Sequence, residues 1–187
     1  MELFEYSITF ILVVIGLGTC RIVAGLGHYL QRRDVIEAYF LHSFLVVVIF
    51  LAHINFWWTS WSYNDSSYWD FNLASLLILR TIALYLSTVL IVPESTDWSR
   101  ANLAEYYWKT YRPVLLLIMI EIIGQFMVDF YVTGTELPPL KIGIRLAMLA
   151  LMGLAYKKES EVLHGIMLIG LLTMLTFNLF GFYLMLT

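Results

Sequence analysis

The feature that most constrains this 187-residue chain is a series of six apolar runs separated by short polar connections. A helix needs roughly 20 mostly apolar residues to cross the hydrocarbon core of a bilayer, and each run has about 17 to 25. The sequence therefore predicts an all-α, polytopic membrane protein with six transmembrane helices, at about 6–30, 36–59, 71–92, 113–132, 140–156 and 164–185.

The composition excludes a water-soluble domain. Hydrophobic residues make up 60% of the chain and charged residues only 13%, whereas soluble domains have about 25% charged residues. The longest polar stretch, 94–112, has room for one short helix and not for a second folded domain. Residues 1–187 are therefore predicted to form a single transmembrane helical domain.

The polar stretch has the pattern of an amphipathic helix. Asn102 followed by Glu105 resembles a capping box, which marks a helix N-terminus. Aromatic side chains then alternate with basic ones, as in helices that lie along the headgroup region of a membrane. We therefore predict a cytoplasmic interfacial helix at about 97–111, with the fourth span beginning at Pro113, a residue tolerated in a first helical turn.

Basic residues are distributed unevenly between the two sides of the predicted bundle. The first, third and fifth connections carry seven of them, and the opposite side carries only Lys141. Positive residues mark cytoplasmic loops, so both termini are expected on the outer side. A collar of outer aromatic residues at Trp57, Trp58 and Trp61 agrees with this. The seven basic residues are Arg32, Arg33, Arg100, Lys109, Arg112, Lys157 and Lys158.

The first predicted helix is rich in small residues, which let two membrane helices approach closely. They recur at four- and seven-residue spacings, so they fall on common helix faces. The sequence predicts that this helix is a packing centre within the bundle or between copies of the chain. The residues concerned are Gly16, Gly18, Cys20, Ala24 and Gly25.

A set of motifs is spread over roughly the first two thirds of the chain. It consists of Gly16 to Gly18, Arg21 to Gly27, Tyr39, His42, the Trp-rich end of the second helix, Pro93, Glu94, Leu103, Glu105 to Tyr107 and Arg112. Together these motifs resemble a family of small uncharacterised bacterial six-helix inner-membrane proteins. The resemblance implies a bacterial origin, a location in the inner (plasma) membrane and a six-helix architecture, without implying an activity.

Ionisable side chains within the predicted spans are costly in hydrocarbon and should face the bundle interior with partners. Glu121, Gln125 and Asp129 follow at four-residue spacing and share one face of their helix. By depth, we predict that Arg21 pairs with Glu121, and that Arg80 or Arg145 takes Gln125 and Asp129. An excess of positive charge remains, because arginine cannot lose its proton in a protein.

This excess predicts an interior that attracts anions. The leading hypothesis is a small channel or transport-like protein, assembled as a homo-oligomer, that attracts anions or lipid headgroups, since cationic rings can make pores anion-selective. The alternative is a non-catalytic scaffold or partner subunit whose charges hold helices together and which meets a protein on the cytoplasmic side. The residues expected at a ligand site or pathway are Arg21, Arg80, Arg145, Glu121, Gln125 and Asp129.

Other functional classes have less support. His28, His42 and His164 are predicted near the cytoplasmic ends of their helices, which leaves haem or zinc binding as a minor alternative. No other cofactor is indicated. An enzyme is less favoured because the sequence offers no catalytic motif, and no catalytic residue is predicted. Nucleic-acid binding is not expected, since the basic residues are dispersed in short loops.

Overall fold

The part of the chain that the structure describes forms six α-helices. The computed structural model describes residues 3–63, 69–94, 102–133 and 137–186. By length and composition, each helix can cross a membrane, which confirms the predicted all-α, six-helix architecture. The helices are α1 (Leu3–Gln31), α2 (Phe40–Ser60), α3 (Phe71–Ile91), α4 (Leu103–Thr133), α5 (Pro139–Lys157) and α6 (Glu161–Leu186), and a single 3-10 turn, Trp61–Tyr63, follows α2.

The most extensive helix contact is between α3 and α4. Helix α1 packs on α3 and α2, α2 packs on α6, and α5 connects α4 with α6. Helix α2 also touches α3 and α4, so four of the other helices contact it. The charged face of α4 therefore meets α3 on one side and α5 on the other.

The two ends of the bundle differ in their contacts. At one end, here called the basic end, the Tyr39 hydroxyl donates to Glu161 at 2.9 Å and Arg112 pairs with Glu159 at 3.1 Å. At the opposite end, here called the aromatic end, the Phe4 and Trp69 rings lie 4.9 Å apart. These contacts connect segments that are distant in sequence and hold the helix ends in register.

The structure does not support a separate interfacial helix at 97–111. Residues from Leu103 onward form the first turns of α4, which continues through Pro113 to Thr133, and residues 97–101 lie outside the described ranges. Asn102 does act as a cap, because its Oδ1 accepts from the backbone N–H groups of Ala104 and Glu105, both at 3.0 Å.

Tertiary packing explains why α4 continues through its proline. Pro113 cannot donate a backbone hydrogen bond and normally interrupts a helix interior. However, Tyr107 and Tyr111 are fully buried in the bundle, and the Tyr106 hydroxyl donates to the Leu90 carbonyl at 2.9 Å. The aromatic face that was expected in the lipid headgroups is therefore packed against protein.

The small residues of α1 divide between two faces. A Cβ atom at Gly18 would overlap the His53 ring, and one at Gly25 would overlap the Val92 side chain. These two glycines therefore allow α1 to approach α2 and the segment after α3 closely. The remaining small residues, Gly16, Cys20 and Ala24, are partly or fully exposed on the other face of α1.

We predict that Gly18→Ala lowers stability because the added methyl group collides with the His53 ring. Overpacking of this kind typically costs about 1–3 kcal/mol. Gly153→Ala in α5 is the matched control, since its Cβ would also meet open space, and it should not lower stability. Thermal unfolding of the purified variants in one detergent measures both. Equal melting temperatures for the two variants would contradict this packing.

Candidate functional site

A cluster of charged and polar side chains lies between α3, α4 and α5. Helix α4 supplies its centre, because residues four apart share one helix face. Helix α3 contributes one arginine, and the first two turns of α5 contribute a lysine and a second arginine. We call this cluster the polar network and define it as Arg80, Glu121, Gln125, Asp129, Lys141 and Arg145.

The inner part of the network is a buried ion pair between α3 and α4. Arg80 Nη2 lies 2.6 Å from Glu121 Oε1, and the Arg80 side chain is only 4% exposed. Its guanidinium also lies over the Phe56 ring, 4.7 Å from the centroid, in a cation–π arrangement. Gly124 makes room for the Arg80 side chain, since a Cβ there would overlap it.

The outer part of the network converges on one carboxylate. Arg145 Nη2 lies 2.7 Å from Asp129 Oδ2, and Lys141 Nζ lies 2.6 Å from the same oxygen. Gln125 Nε2 donates to the other oxygen of Asp129, Oδ1. Two cations therefore share one anion here.

Arg145 retains unused hydrogen-bonding capacity. Its side chain is 5% exposed, and its buried Nη1 has no hydrogen-bond partner in the part of the chain that the structure describes. A buried donor without an acceptor is unfavourable, so an additional acceptor at this point would stabilise the arginine.

The network runs from near one end of the bundle to its interior. Counted from the ends of their helices at the aromatic end, Lys141 lies about 3 Å deep, Asp129 about 6 Å and Glu121 about 18 Å. The Lys141 side chain is 38% exposed, so the aromatic end of the network reaches the surface. The members carry three positive and two negative charges, which leaves one positive charge in excess.

Tyr63 extends the network toward α2. Gln125 Nε2 donates to the Tyr63 hydroxyl at 3.5 Å, a distance at the limit of a hydrogen bond. Burial is the main cause that raises the pKa of Tyr63, and the negative charge of Asp129 adds to it. The hydroxyl therefore keeps its proton at neutral pH and remains both a donor and an acceptor.

The predicted pairing of Arg21 with Glu121 is wrong. Arg21 Nη2 donates to the Val92 carbonyl at 3.0 Å, and Glu121 is bound by Arg80. Depth in the membrane did not identify which of the two arginines binds Glu121. The direction that each helix face takes in the bundle decides it. Arg21 thus fastens α1 to the carboxyl end of α3. The predicted contact of Arg145 with Asp129 is confirmed.

The three histidines proposed for haem or zinc are not assembled into one site. His42 Nε2 lies 2.9 Å from the Ile91 carbonyl, and His164 Nδ1 lies 2.6 Å from the Tyr107 hydroxyl. His28 lies in the last turn of α1. Among the described residues there is no group of three or more histidine, cysteine, aspartate or glutamate side chains that could hold a metal ion.

Sequence reasoning missed three residues of this region. Lys141 lies four residues before Arg145, and this spacing places both on one helix face. The spacing could therefore have identified Lys141 as a member of the network. Gly124 lies next to the charged face of α4, and a glycine there is weaker evidence that a side chain of another helix approaches α4 closely. Phe56 directly precedes the aromatic collar in the sequence, and no pattern in the sequence indicates its contact with Arg80.

Two apolar grooves lie between α1 and α2, one near each end. The groove near the aromatic end has a volume of about 410 Å³ and the other about 270 Å³. Neither is lined by a member of the polar network. The network is thus separate from the apolar surface that these grooves offer to lipid.

Comparison of the chain with protein-family models, with curated proteins and with solved structures finds no match. The resemblance to small bacterial six-helix membrane proteins therefore stays a prediction.

We predict that Arg80→Met destabilises the fold strongly, because it leaves Glu121 as an unpaired charge inside the bundle. Removing one partner of a buried ion pair costs about 3–5 kcal/mol. Replacing both residues, Arg80→Met with Glu121→Met, should cost less than Arg80→Met alone. Arg112→Met breaks an exposed pair with Glu159 and should cost about 1 kcal/mol or less.

Unfolding of these variants under identical detergent conditions measures the differences. A cost for Arg112→Met equal to that of Arg80→Met would contradict the central role of the buried pair.

Proposed function

We propose that this protein is a small transport-like membrane protein that takes up an oxyanion at the outer part of its polar network. The observation that carries the proposal is the convergence of Lys141 and Arg145 on one oxygen of Asp129. One positive charge there lacks a counter-charge within the network. An oxyanion, either free or in a lipid headgroup, would supply it.

The chemistry of the arginine supports an oxyanion over a simple halide. A planar guanidinium donates in a fork that matches carboxylate and phosphate oxygens. Arg145 uses Nη2 for Asp129, and its Nη1 is the buried donor that lacks an acceptor among the described residues. The partly exposed Lys141 lies between this donor and the surface, where it can attract an anion.

A pathway across the whole membrane requires more than one copy of the chain, because six helices around a packed core leave little room for a channel. We propose a homo-oligomer formed through α1. The face that carries Gly16, Cys20 and Ala24 is partly or fully exposed, and small residues allow close helix contact in membranes.

We propose that the protein lies in a bacterial inner membrane with both termini outside. Seven basic residues belong to the connections of the basic end or lie next to them, and Lys141 belongs to the other side. The positive-inside rule then assigns the basic end to the cytoplasm. In this orientation, Lys141 and Arg145 meet anions from the outer side.

Cysteine labelling of intact cells tests the orientation. In a Cys20→Ser background, we predict that a membrane-impermeant maleimide labels Ser66→Cys, between α2 and α3, and leaves Arg33→Cys unlabelled until the cells are opened. The reason is that Arg33 comes before α2 in the sequence and Ser66 comes after it, so a helix that crosses the membrane separates the two positions. Labelling of Arg33→Cys in intact cells, with Ser66→Cys protected, would contradict the proposed orientation.

A second candidate function is a membrane scaffold or partner subunit. The observation that favours it is that each buried arginine of the network has a carboxylate partner, Arg80 with Glu121 and Arg145 with Asp129. In this case the charges only hold helices together, and a cytoplasmic protein partner would bind at the basic end. Such a protein would move no anion by itself.

Flux through reconstituted liposomes distinguishes the two candidates. We predict uptake of nitrate and inorganic phosphate that Arg145→Gln reduces at least about tenfold, since a hydrogen bond to a charged group contributes about 1.5–3 kcal/mol. Arg33→Gln removes the same charge from an exposed position and should leave the flux unchanged. Light scattering checks that each variant keeps the oligomeric mass of the parent.

A parallel assay with a fluorescent anionic phospholipid separates the two sources of the oxyanion. Phospholipid scrambling without uptake of free anions would identify a lipid headgroup as the ligand. The absence of both activities in the folded parent protein would overturn the transport proposal in favour of the scaffold.

A further inference from the structure

His53 lies within α2, next to the inner part of the polar network, and was not among the residues predicted for a site. Its side chain is fully buried. Nδ1 lies 2.9 Å from the carbonyl of Ile49, one turn earlier on the same helix. Nε2 is buried and has no hydrogen-bond partner among the described residues.

The hydrogen bond to Ile49 determines the tautomer of the neutral ring. A carbonyl oxygen only accepts, so Nδ1 must carry the proton. Nε2 then presents a lone pair to the protein interior without a donor to meet it. This is an unusual position for a polar atom, because nearly all buried polar groups are paired.

The space around Nε2 excludes a ligand of any size. The ring nitrogen lies against the α1 backbone at Gly18, where even an added Cβ atom would overlap it. A metal ion is not indicated, since no group of ligands surrounds the ring in the described part of the chain. A proton, which adds a single N–H to the ring, is the smallest ligand that this lone pair can take.

The charged side chains around His53 come from three helices. On α4, the negative charge of Glu121 acts on the ring. On α3, Arg80 holds that carboxylate and lies over the Phe56 ring, three residues beyond His53. Helix α1 contributes Gly18 at the contact and Arg21 one turn further along, which is bound to Val92. Helix α6 has no ionisable side chain over 165–179.

We infer that His53 Nε2 is a proton-binding site and that its protonation favours oxyanion uptake by the polar network. This role of His53 rests on the proposed function, and it identifies the proton as the ion that is coupled to oxyanion uptake. The step is a simple addition: one proton joins the lone pair of Nε2, and no other bond forms or breaks. The resulting imidazolium adds one positive charge, on which the negative charge of Glu121 acts.

Charge balance couples the two ligands. The polar network and His53 together carry one excess positive charge before His53 is protonated and two afterwards. Uncompensated charge is costly inside a membrane, so entry of one monovalent oxyanion restores the original balance. Proton and anion binding therefore strengthen each other, as linkage requires.

Nuclear magnetic resonance of the ring nitrogens tests proton binding directly. The parent protein is labelled with ¹⁵N-histidine in lipid nanodiscs, and His53→Gln identifies the His53 signals. We expect Nε2 to shift from the unprotonated to the protonated position as the sample is acidified from about pH 8 to about pH 4, a range that extends well below the ordinary titration of histidine. A Nε2 signal that stays unprotonated in the folded parent overturns the inference.

Nitrate uptake into liposomes tests the coupling, because the charge of nitrate is constant over this range. One coupled proton changes anion affinity by up to about tenfold per pH unit. We therefore expect uptake at subsaturating nitrate to rise at least about fivefold per unit of acidification in the parent and in His28→Gln, and not in His53→Gln.

The outcomes separate the two proposals. Nitrate uptake that does not depend on pH would overturn the coupling and leave the proposed function intact. Absence of nitrate uptake would overturn the proposed function, and the nitrogen signals of the parent would still decide whether His53 binds a proton. If His53→Gln fails to fold, the pH dependence of the parent remains the deciding measurement.

Discussion

The ion pair between Arg80 and Glu121 is the interaction on which the packing of this bundle depends. A carboxylate within the apolar part of α4 requires a partner, since hydrocarbon cannot solvate it. The partner comes from α3, and these two helices form the most extensive contact in the molecule. Gly124 allows the arginine to pass close to α4, and Phe56 brings α2 to the same point. The positions of three helices therefore follow from the solvation of one charge.

The remaining helices are fixed by weaker polar contacts and by shape. Arg21 fastens α1 to the end of α3 through the Val92 carbonyl. At the basic end, the Tyr107 hydroxyl contacts His164, so α6 is held against α4. At the aromatic end, Asp129 joins α5 to α4 through Lys141 and Arg145. Most charged side chains of the bundle interior thus serve both solvation and helix placement. Among the described residues, four side chains keep a buried nitrogen without a hydrogen-bond partner, namely Arg21, His53, Arg80 and Arg145.

The sequence was sufficient to predict the six helices because the length of an apolar run is a direct consequence of membrane thickness. It also located the charged face of α4, since four-residue spacing defines a helix face. It did not predict which arginine binds Glu121, because hydropathy gives depth and not the direction that a helix face takes in the bundle. The continuity of α4 through Pro113 was missed for a related reason: the burial of Tyr107 and Tyr111 is a tertiary effect that overrides a local helix-breaking signal. His53 could be noticed in the sequence, whereas its unpaired Nε2 is visible only in the structure.

We propose that the outer part of the polar network holds an oxyanion beside Arg145. Anomalous diffraction from crystals grown in lipid and soaked with selenate tests this site most directly, because selenium marks the position of the anion. We predict a selenium peak within hydrogen-bonding reach of Arg145 Nη1 and Lys141 Nζ, and loss of that peak in Arg145→Gln. A folded parent protein with no selenium at this position, and with Arg145 Nη1 bonded to a protein carbonyl or a water molecule, would contradict it.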